Sequence, residues 1–133
     1  MKPLATESIF VVDDDEDDCF LIREVFKHTL PRFRLNCMAN GHELLRTLEA
    51  SDDLPSLILL DLNMTKMGGI EVLRFLRQQT RYDGIPIVIL TTSDQASDRR
   101  ESLAFKANGF STKPTTTKEF EQLALQLHEA YLV

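Results

Sequence analysis

Four short stretches of this chain run into side chains that handle phosphate and divalent metal. Asp13 and Asp14 follow Ser8 to Val12, Asp61 follows Leu57 to Leu60, Thr91 and Thr92 follow Pro86 to Leu90, and Lys113-Pro114 follows Gly109 to Thr112. Three carboxylates gathered in one crevice repel one another, and some must stay protonated unless a cation joins them. A divalent ion resolves that conflict, and carboxylate, carbonyl and water oxygens suit Mg²⁺, which binds through one or two protein carboxylates plus a substrate phosphate. Lys113 adds a point charge for a phosphoryl oxygen, and the Thr91 hydroxyl adds a donor. Phosphoryl transfer asks mainly for an in-line nucleophile and charge neutralisation, and a carboxylate such as Asp61 is a competent nucleophile.

Residues so far apart in sequence converge only if the elements carrying them line up. Short β-branched runs alternate with longer segments of helical period, which predicts a parallel sheet with helices on both faces. The strand candidates are Ser8 to Val12, Phe33 to Ala39, Leu57 to Leu60, Pro86 to Leu90 and Gly109 to Thr112. The first, third and fourth are nearly all apolar, as central strands are. The helix candidates are about Glu16 to Thr29, Gly41 to Ala50, Gly69 to Arg81, Gln95 to Ala107 and Thr116 to Leu132. Phe120, Leu123, Leu127 and Tyr131 mark the inner face of the last. The fourth is polar, with Ala96, Leu103 and Ala107 its plain inward candidates, so its weak anchoring makes it a candidate moving part. In such a doubly wound sheet the functional crevice lies beyond the carboxyl ends of the strands. Every chemical group above falls at that end.

Each group also has an ordinary structural reading. The run Asp13 to Asp18 can cap a helix N-terminus, where acidic residues stabilise by about 0.3 to 1 kcal/mol each. For Asp15, Glu16, Asp17 and Asp18 that reading is preferred. The run is not a calcium-binding EF-hand loop, because the central glycine and closing glutamate are missing. Thr91, Thr92 and Ser93 can cap the fourth helix, and Lys113 can be an ordinary exposed lysine.

A chain of 133 residues, 43% hydrophobic, supports one core, so a single domain over 1–133 is expected, with its core at about 7–132. The net charge of -6 argues against nucleic-acid and anionic-membrane partners. The opening MKPLATES lacks the apolar core of a signal peptide and no later run spans a bilayer, which places the chain in the cytoplasm. Cys19 and Cys37 lack metal-ligand spacing, a chain of this size needs no disulfide, and both are expected to be small core residues. His28, His42 and His128 are expected at the surface without a function.

The motifs IFVVDDDEDD, LILLDLNMTKMGG, IPIVILTTS and GFSTKP, in that order and spacing, closely resemble the receiver domain of two-component response regulators. The resemblance covers essentially the whole chain. Within the family, TTS at the fourth strand looks most like the small regulators paired with bacterial phytochromes. The resemblance implies a flavodoxin-like (βα)5 fold with strand order 2-1-3-4-5. It implies Asp61 as phospho-acceptor, Asp14 as direct Mg²⁺ ligand, Asp13 as ligand through water, and Asn63 as ligand through its backbone carbonyl. Thr91 matches the switch hydroxyl, Phe110 the aromatic switch position and Lys113 the catalytic lysine, with a cis Lys113-Pro114 peptide. The chain would not be an enzyme toward other molecules, but would catalyse its own phosphorylation and dephosphorylation.

Three positions depart from the commoner family pattern: Thr65 replaces a proline, Gly68 replaces an aspartate, and Thr115 follows Lys113-Pro114. None removes a group the chemistry needs, and Thr65 should loosen the loop after Asp61. The implied partners are a sensor histidine kinase or histidine phosphotransfer protein, and a second copy through the fourth helix, fifth strand and fifth helix. Two alternatives stand beside this reading. One is a receiver-like interaction module that does not use phosphate. The other is a haloacid-dehalogenase-like phosphatase, suggested by Asp61, Asn63 and Thr65; it needs a second aspartate as general acid, where this chain has Asn63.

Overall fold

The computed structural model describes residues 7–133. Five parallel strands form one sheet in the order β2-β1-β3-β4-β5. They are β1 (Ser8–Val12), β2 (Arg34–Met38), β3 (Leu57–Leu60), β4 (Ile87–Thr91) and β5 (Gly109–Thr112), and they alternate with α1 (Glu16–Thr29), α2 (Gly41–Ala50), α3 (Gly69–Arg77), α4 (Ala96–Ala104) and α5 (Thr117–Leu127). The three apolar runs are the three central strands, as expected, because only a strand covered on both faces can be apolar throughout.

Alternation along those strands splits the core into two layers. Ile9 and Val11 of β1 point to the face covered by α1 and α5, where Ile22, Phe26, Phe120 and Leu127 pack. Phe10 and Val12 point to the opposite face, against Leu44 and Leu48 of α2 and Val72, Leu73 and Leu76 of α3. The inner face of α5 is as expected: Phe120, Leu123 and Leu127 are buried and Tyr131 is half-buried.

Three helices end earlier than their sequence period predicts, among them α4, which stops at Ala104 ahead of a left-handed turn at Lys106. α3 stops at Arg77 and a single 3₁₀ turn, Thr80–Tyr82, follows. The Arg77 guanidinium draws the chain around itself, donating to the carbonyls of Tyr82 at 2.9 Å, Ile85 at 2.8 Å and Lys106 at 3.1 Å and to Asn108 Oδ1 at 2.9 Å. Burial lowers the pKa of this arginine, against the raising influence of Asp83. α5 gives way at His128 to a terminal π turn, His128–Leu132.

α4 is anchored differently from expectation. Ala107, just past its end, is buried as expected, but Ala96 and Leu103 are exposed, and the buried residue within the helix is Ser102. Its hydroxyl donates to the Asp98 carbonyl at 2.8 Å, so a small polar side chain can be buried there without an unmet hydrogen bond. The Arg74 guanidinium over the Phe105 ring, 4.9 Å from its centroid, ties the end of α4 to α3.

The cysteines also differ. Cys19 of α1 and Cys37 of β2 are joined in a disulfide. Their spacing matches no metal motif, but the packing of α1 beside β2 brings their Cα atoms to 6.3 Å, inside the range that a disulfide spans. His28 and His42 are exposed, whereas His128 is half-buried with its ring edge-on to Phe33 at 6.2 Å.

Candidate functional site

Parallel pairing aligns the carboxyl ends of the strands. Val12 lies opposite Leu60 across β1 and β3, Leu60 opposite Ile89, and Thr91 opposite Thr112. Asp13, Asp61 and Lys113, which directly follow β1, β3 and β5, and Thr91, the last residue of β4, therefore open on the same crevice. Backbone hydrogen bonds continue past the strands and fix these residues: Asp61 N–H donates to Val12 O at 3.0 Å, Asp13 N–H to Met38 O at 2.9 Å, and Lys113 N–H to Thr91 O at 2.7 Å.

The crevice collects the groups anticipated from sequence. Carboxylate oxygens of Asp13, Asp14 and Asp61 lie within 4.8 Å of one another, with Asp13 and Asp61 buried and Asp14 exposed. Lys113 reaches in from β5 with only 8% of its side chain exposed, placing Nζ 2.7 Å from Asp13 Oδ2 and 3.4 Å from Asp61 Oδ2. Asp61 Oδ1 accepts the Asn63 backbone N–H at 3.2 Å. Thr91 is fully buried, and its Oγ1 accepts from Asn63 Nδ2 and from the Ser93 backbone, each at 3.4 Å. The Asn63 side chain thus bridges from the β3 loop to the hydroxyl on β4. Thr65 N–H donates to Asp14 Oδ2 at 3.1 Å, tying the loop that lacks the family proline back to the acidic pair.

Asp18 is the residue that sequence reading missed. Asp15 is the N-cap of α1, accepting from the backbones of Asp17 and Asp18. The Asp18 carboxylate does more than cap: it lies 2.7 Å from Lys113 Nζ. The available signal was its place in the first turn of α1, the helix that starts directly after the acidic pair. Lys113 consequently contacts three carboxylates.

The electrostatics follow from that imbalance. Burial raises the pKa of Asp13 above its ordinary value, outweighing the hydrogen bonds from Lys113 and the Asp15 backbone, and the charge of Asp61 pushes in the same direction as burial. For Lys113 burial works to lower the pKa. Hydrogen bonds to Asp13 and Asp18, with the charges of Asp13 and Asp61, overcome it and hold the ammonium above its ordinary range. A cluster with more carboxylates than cations, lined by hard oxygen donors, is chemically suited to a divalent ion.

Phe110 is half-buried against the α2–α3 side of the core, next to Gly109. The Lys113–Pro114 peptide is trans, as are all peptide bonds among the described residues, which corrects the cis expectation. The trans form is the ground preference of an X-Pro bond by roughly 0.5–1 kcal/mol, and here it already allows both the Lys113 backbone bond to Thr91 and the placement of Nζ.

A doubly wound five-stranded sheet with an acidic pocket, a lysine and a hydroxyl at its carboxyl edge defines a phospho-signalling class of domain. The chain matches the response regulator receiver domain family over residues 9–125, and it belongs to that family. It is similar to response regulator Rcp1 of Synechocystis, at 30% identity over 93% of this chain and 88% of that protein. The crystal structure of the phosphorylated cyanobacterial phytochrome response regulator RcpA superposes with a TM-score of 0.87, at 30% identity, covering 96% of this chain and 95% of that one. The Mn²⁺-bound form of Rcp1 gives a TM-score of 0.82 at 29% identity, with 93% of each chain covered. The chain is thus a receiver of two-component signalling. No helix among the described residues is long and apolar enough to cross a membrane.

Proposed function

We propose that this chain acts as a stand-alone receiver, one domain over 1–133, that accepts a phosphoryl group on Asp61 from a phosphohistidine and signals by a change of shape. The observation that carries the reading is the convergence of Asp13, Asp14 and Asp61 around Lys113 beside the buried Thr91 hydroxyl. An Asp61 carboxylate oxygen attacks phosphorus, the bond from phosphorus to imidazole nitrogen breaks, and the imidazole leaves with that electron pair. In this proposal Mg²⁺ would be held by Asp14 and Asp61, by the Asn63 backbone carbonyl, and by Asp13 through water, and would supply charge neutralisation for the phosphoryl oxygens. Lys113 neutralises a further oxygen, which its raised proton affinity keeps it charged to do. Thr91 then exchanges its contact with Asn63 for a phosphoryl oxygen, and Phe110 repacks beside it, shifting a pre-existing equilibrium in α4, β5 and α5.

The donor is a sensor histidine kinase or a histidine phosphotransfer protein, and the α4–β5–α5 face serves a partner or a second copy of the chain. By likeness to Rcp1 and RcpA a phytochrome-linked kinase is the first candidate donor. The setting is the cytoplasm, with no nucleic acid or membrane as partner. Because Asp61 is both the acceptor of the phosphoryl group and the residue that later loses it, the only catalysis is of the chain's own phosphorylation and dephosphorylation.

Incubation with acetyl phosphate and Mg²⁺, followed by intact mass, tests the assignment. One phosphate is expected on the wild type, and none on Asp61→Asn or without metal. Equal adduct on Asp61→Asn would overturn it, and failure to take up phosphate or to bind beryllofluoride would favour a phosphate-independent interaction module.

A further inference from the structure

Cys19 and Cys37 each adjoin a residue that fastens the carboxylate pocket. Asp18, immediately before Cys19, holds Lys113 Nζ at 2.7 Å. Met38, immediately after Cys37, accepts the Asp13 N–H through its carbonyl at 2.9 Å. The disulfide therefore joins the first turn of α1 to the end of β2 where both support the site, with Cα atoms 6.3 Å apart. The bond is also reachable from one side: Cys19 is buried, but Cys37 is half-buried and a cleft lined by Glu16, Cys19, Phe20, Arg23 and Cys37 runs past it. A purely structural cross-link needs no such access, whereas thiol–disulfide exchange does.

We propose that the Cys19–Cys37 bond is a redox-reversible tie that tunes the divalent-metal affinity of the Asp13, Asp14, Asp61 pocket, an inference that rests on the metal-binding reading above. In the closing direction one cysteine thiolate attacks a sulfur of a small disulfide of the glutathione class and displaces one thiolate. The second cysteine thiolate attacks the mixed disulfide at the protein sulfur and displaces the other. The protein loses two protons and two electrons, and the oxidant becomes two thiols; excess thiol reverses both steps. With the bond closed, Asp18 and the Met38 carbonyl are held in mutual register, so Lys113 and Asp13 are fixed before metal arrives. With the bond open, the first turn of α1 and the end of β2 move independently and metal binding must order them. Linkage is reciprocal: whatever factor the closed bond adds to metal affinity, bound metal adds to the equilibrium constant for closing the bond.

The full chain, equilibrated in mixtures of reduced and oxidised glutathione with and without saturating Mg²⁺, is quenched and its free thiols counted by mass after maleimide labelling. The expected result is a disulfide that opens and closes across the series, with a closing constant raised about fivefold by Mg²⁺, the low end of ordinary coupling between sites. Calorimetric titration of Mg²⁺ should show the same factor between oxidised and reduced protein, with Cys37→Ser matching the reduced wild type. A pair that stays open or stays closed at every ratio overturns the reversible tie. Mg²⁺ binding of equal strength in both redox states overturns the coupling alone. No Mg²⁺ binding in either state overturns the coupling together with the metal reading of the pocket.

Discussion

Gly69 is the place where the site depends most directly on a missing side chain. It opens α3, and its backbone passes so close to the end of β3 that a Cβ there would lie 2.3 Å from the Asp61 carbonyl oxygen and 2.8 Å from Leu62 Cα. Both obstacles are backbone atoms, which cannot rotate aside. Carbon-to-oxygen contacts settle at roughly 3.3 Å or beyond, so Gly69→Ala must separate α3 from β3 by about 1 Å. Overpacking of this kind costs about 1–3 kcal/mol, and the rigidity of the obstacle places the change near the top of that range. Alanine returns at most about 1 kcal/mol through helix propensity. The net expectation is a loss of about 2 kcal/mol, or about 7 °C in melting temperature for a domain of this size. Because the displaced carbonyl belongs to the phospho-acceptor itself, the rate of phosphorylation by acetyl phosphate should fall by about 10²-fold.

Two neighbouring substitutions separate this effect from a general dislike of losing glycine. Gly68→Ala meets nothing closer than Leu62 O at 3.6 Å, and Gly84→Ala meets nothing within 4 Å. Both should leave the urea midpoint unchanged or raise it slightly, since alanine restricts the unfolded chain. Urea denaturation followed by circular dichroism, with intact-mass kinetics on the same three proteins, decides the matter. If Gly69→Ala unfolds and phosphorylates like Gly68→Ala, the close approach does not govern the position of Asp61 and the reasoning fails.

Three further outcomes follow from other parts of the structure. Asp13 has a raised pKa in the fold, so its ionisation at neutral pH opposes folding; Asp13→Asn should raise the metal-free urea midpoint at pH 7, the gain vanishing as pH falls below the unfolded value of 3.8, and equal midpoints at pH 7 would count against this. Arg77→Ala strands the carbonyls of Tyr82, Ile85 and Lys106 and the Asn108 side chain, and should cost about 3 kcal/mol in chemical denaturation with no rescue by lysine, whose single ammonium cannot reproduce the planar fork. Reducing the Cys19–Cys37 bond frees a loop of sequence separation 18, and should lower unfolding stability by about 3 kcal/mol, measured as the difference in urea midpoints with and without a phosphine reductant.

What could be read from sequence, and what could not, divides along a physical line. Asp13, Asp14, Asp61, Thr91 and Lys113 were legible because each ends a strand, and in a parallel sheet the strand end alone determines where the residue goes. The three central strands were legible because burial on both faces leaves a run of apolar residues. The misreadings of Asp18, Arg77 and the cysteines involve contacts between segments whose relative placement no local pattern specifies. Asp18 has the composition of a cap residue, and its contact with Lys113 exists only because the long Lys113 side chain reaches from the end of β5 to the first turn of α1. Arg77 lies in a good helical period, and the helix stops there because its guanidinium finds four acceptors in the following chain. Ser102 looks like a surface residue until its hydroxyl is seen to be satisfied within its own helix. The cysteines, 18 residues apart and without a motif, become a pair only through the packing of α1 on the edge of the sheet. Chemistry placed by strand ends is thus readable one residue at a time, whereas Asp18 and the disulfide that borders it, which hold that chemistry in position, are properties of the packed chain. Substitution of Asp61, the nucleophile at the end of β3, should therefore abolish phosphate uptake outright, while substitutions at Asp18 or the cysteines should change how tightly and how fast the same site works.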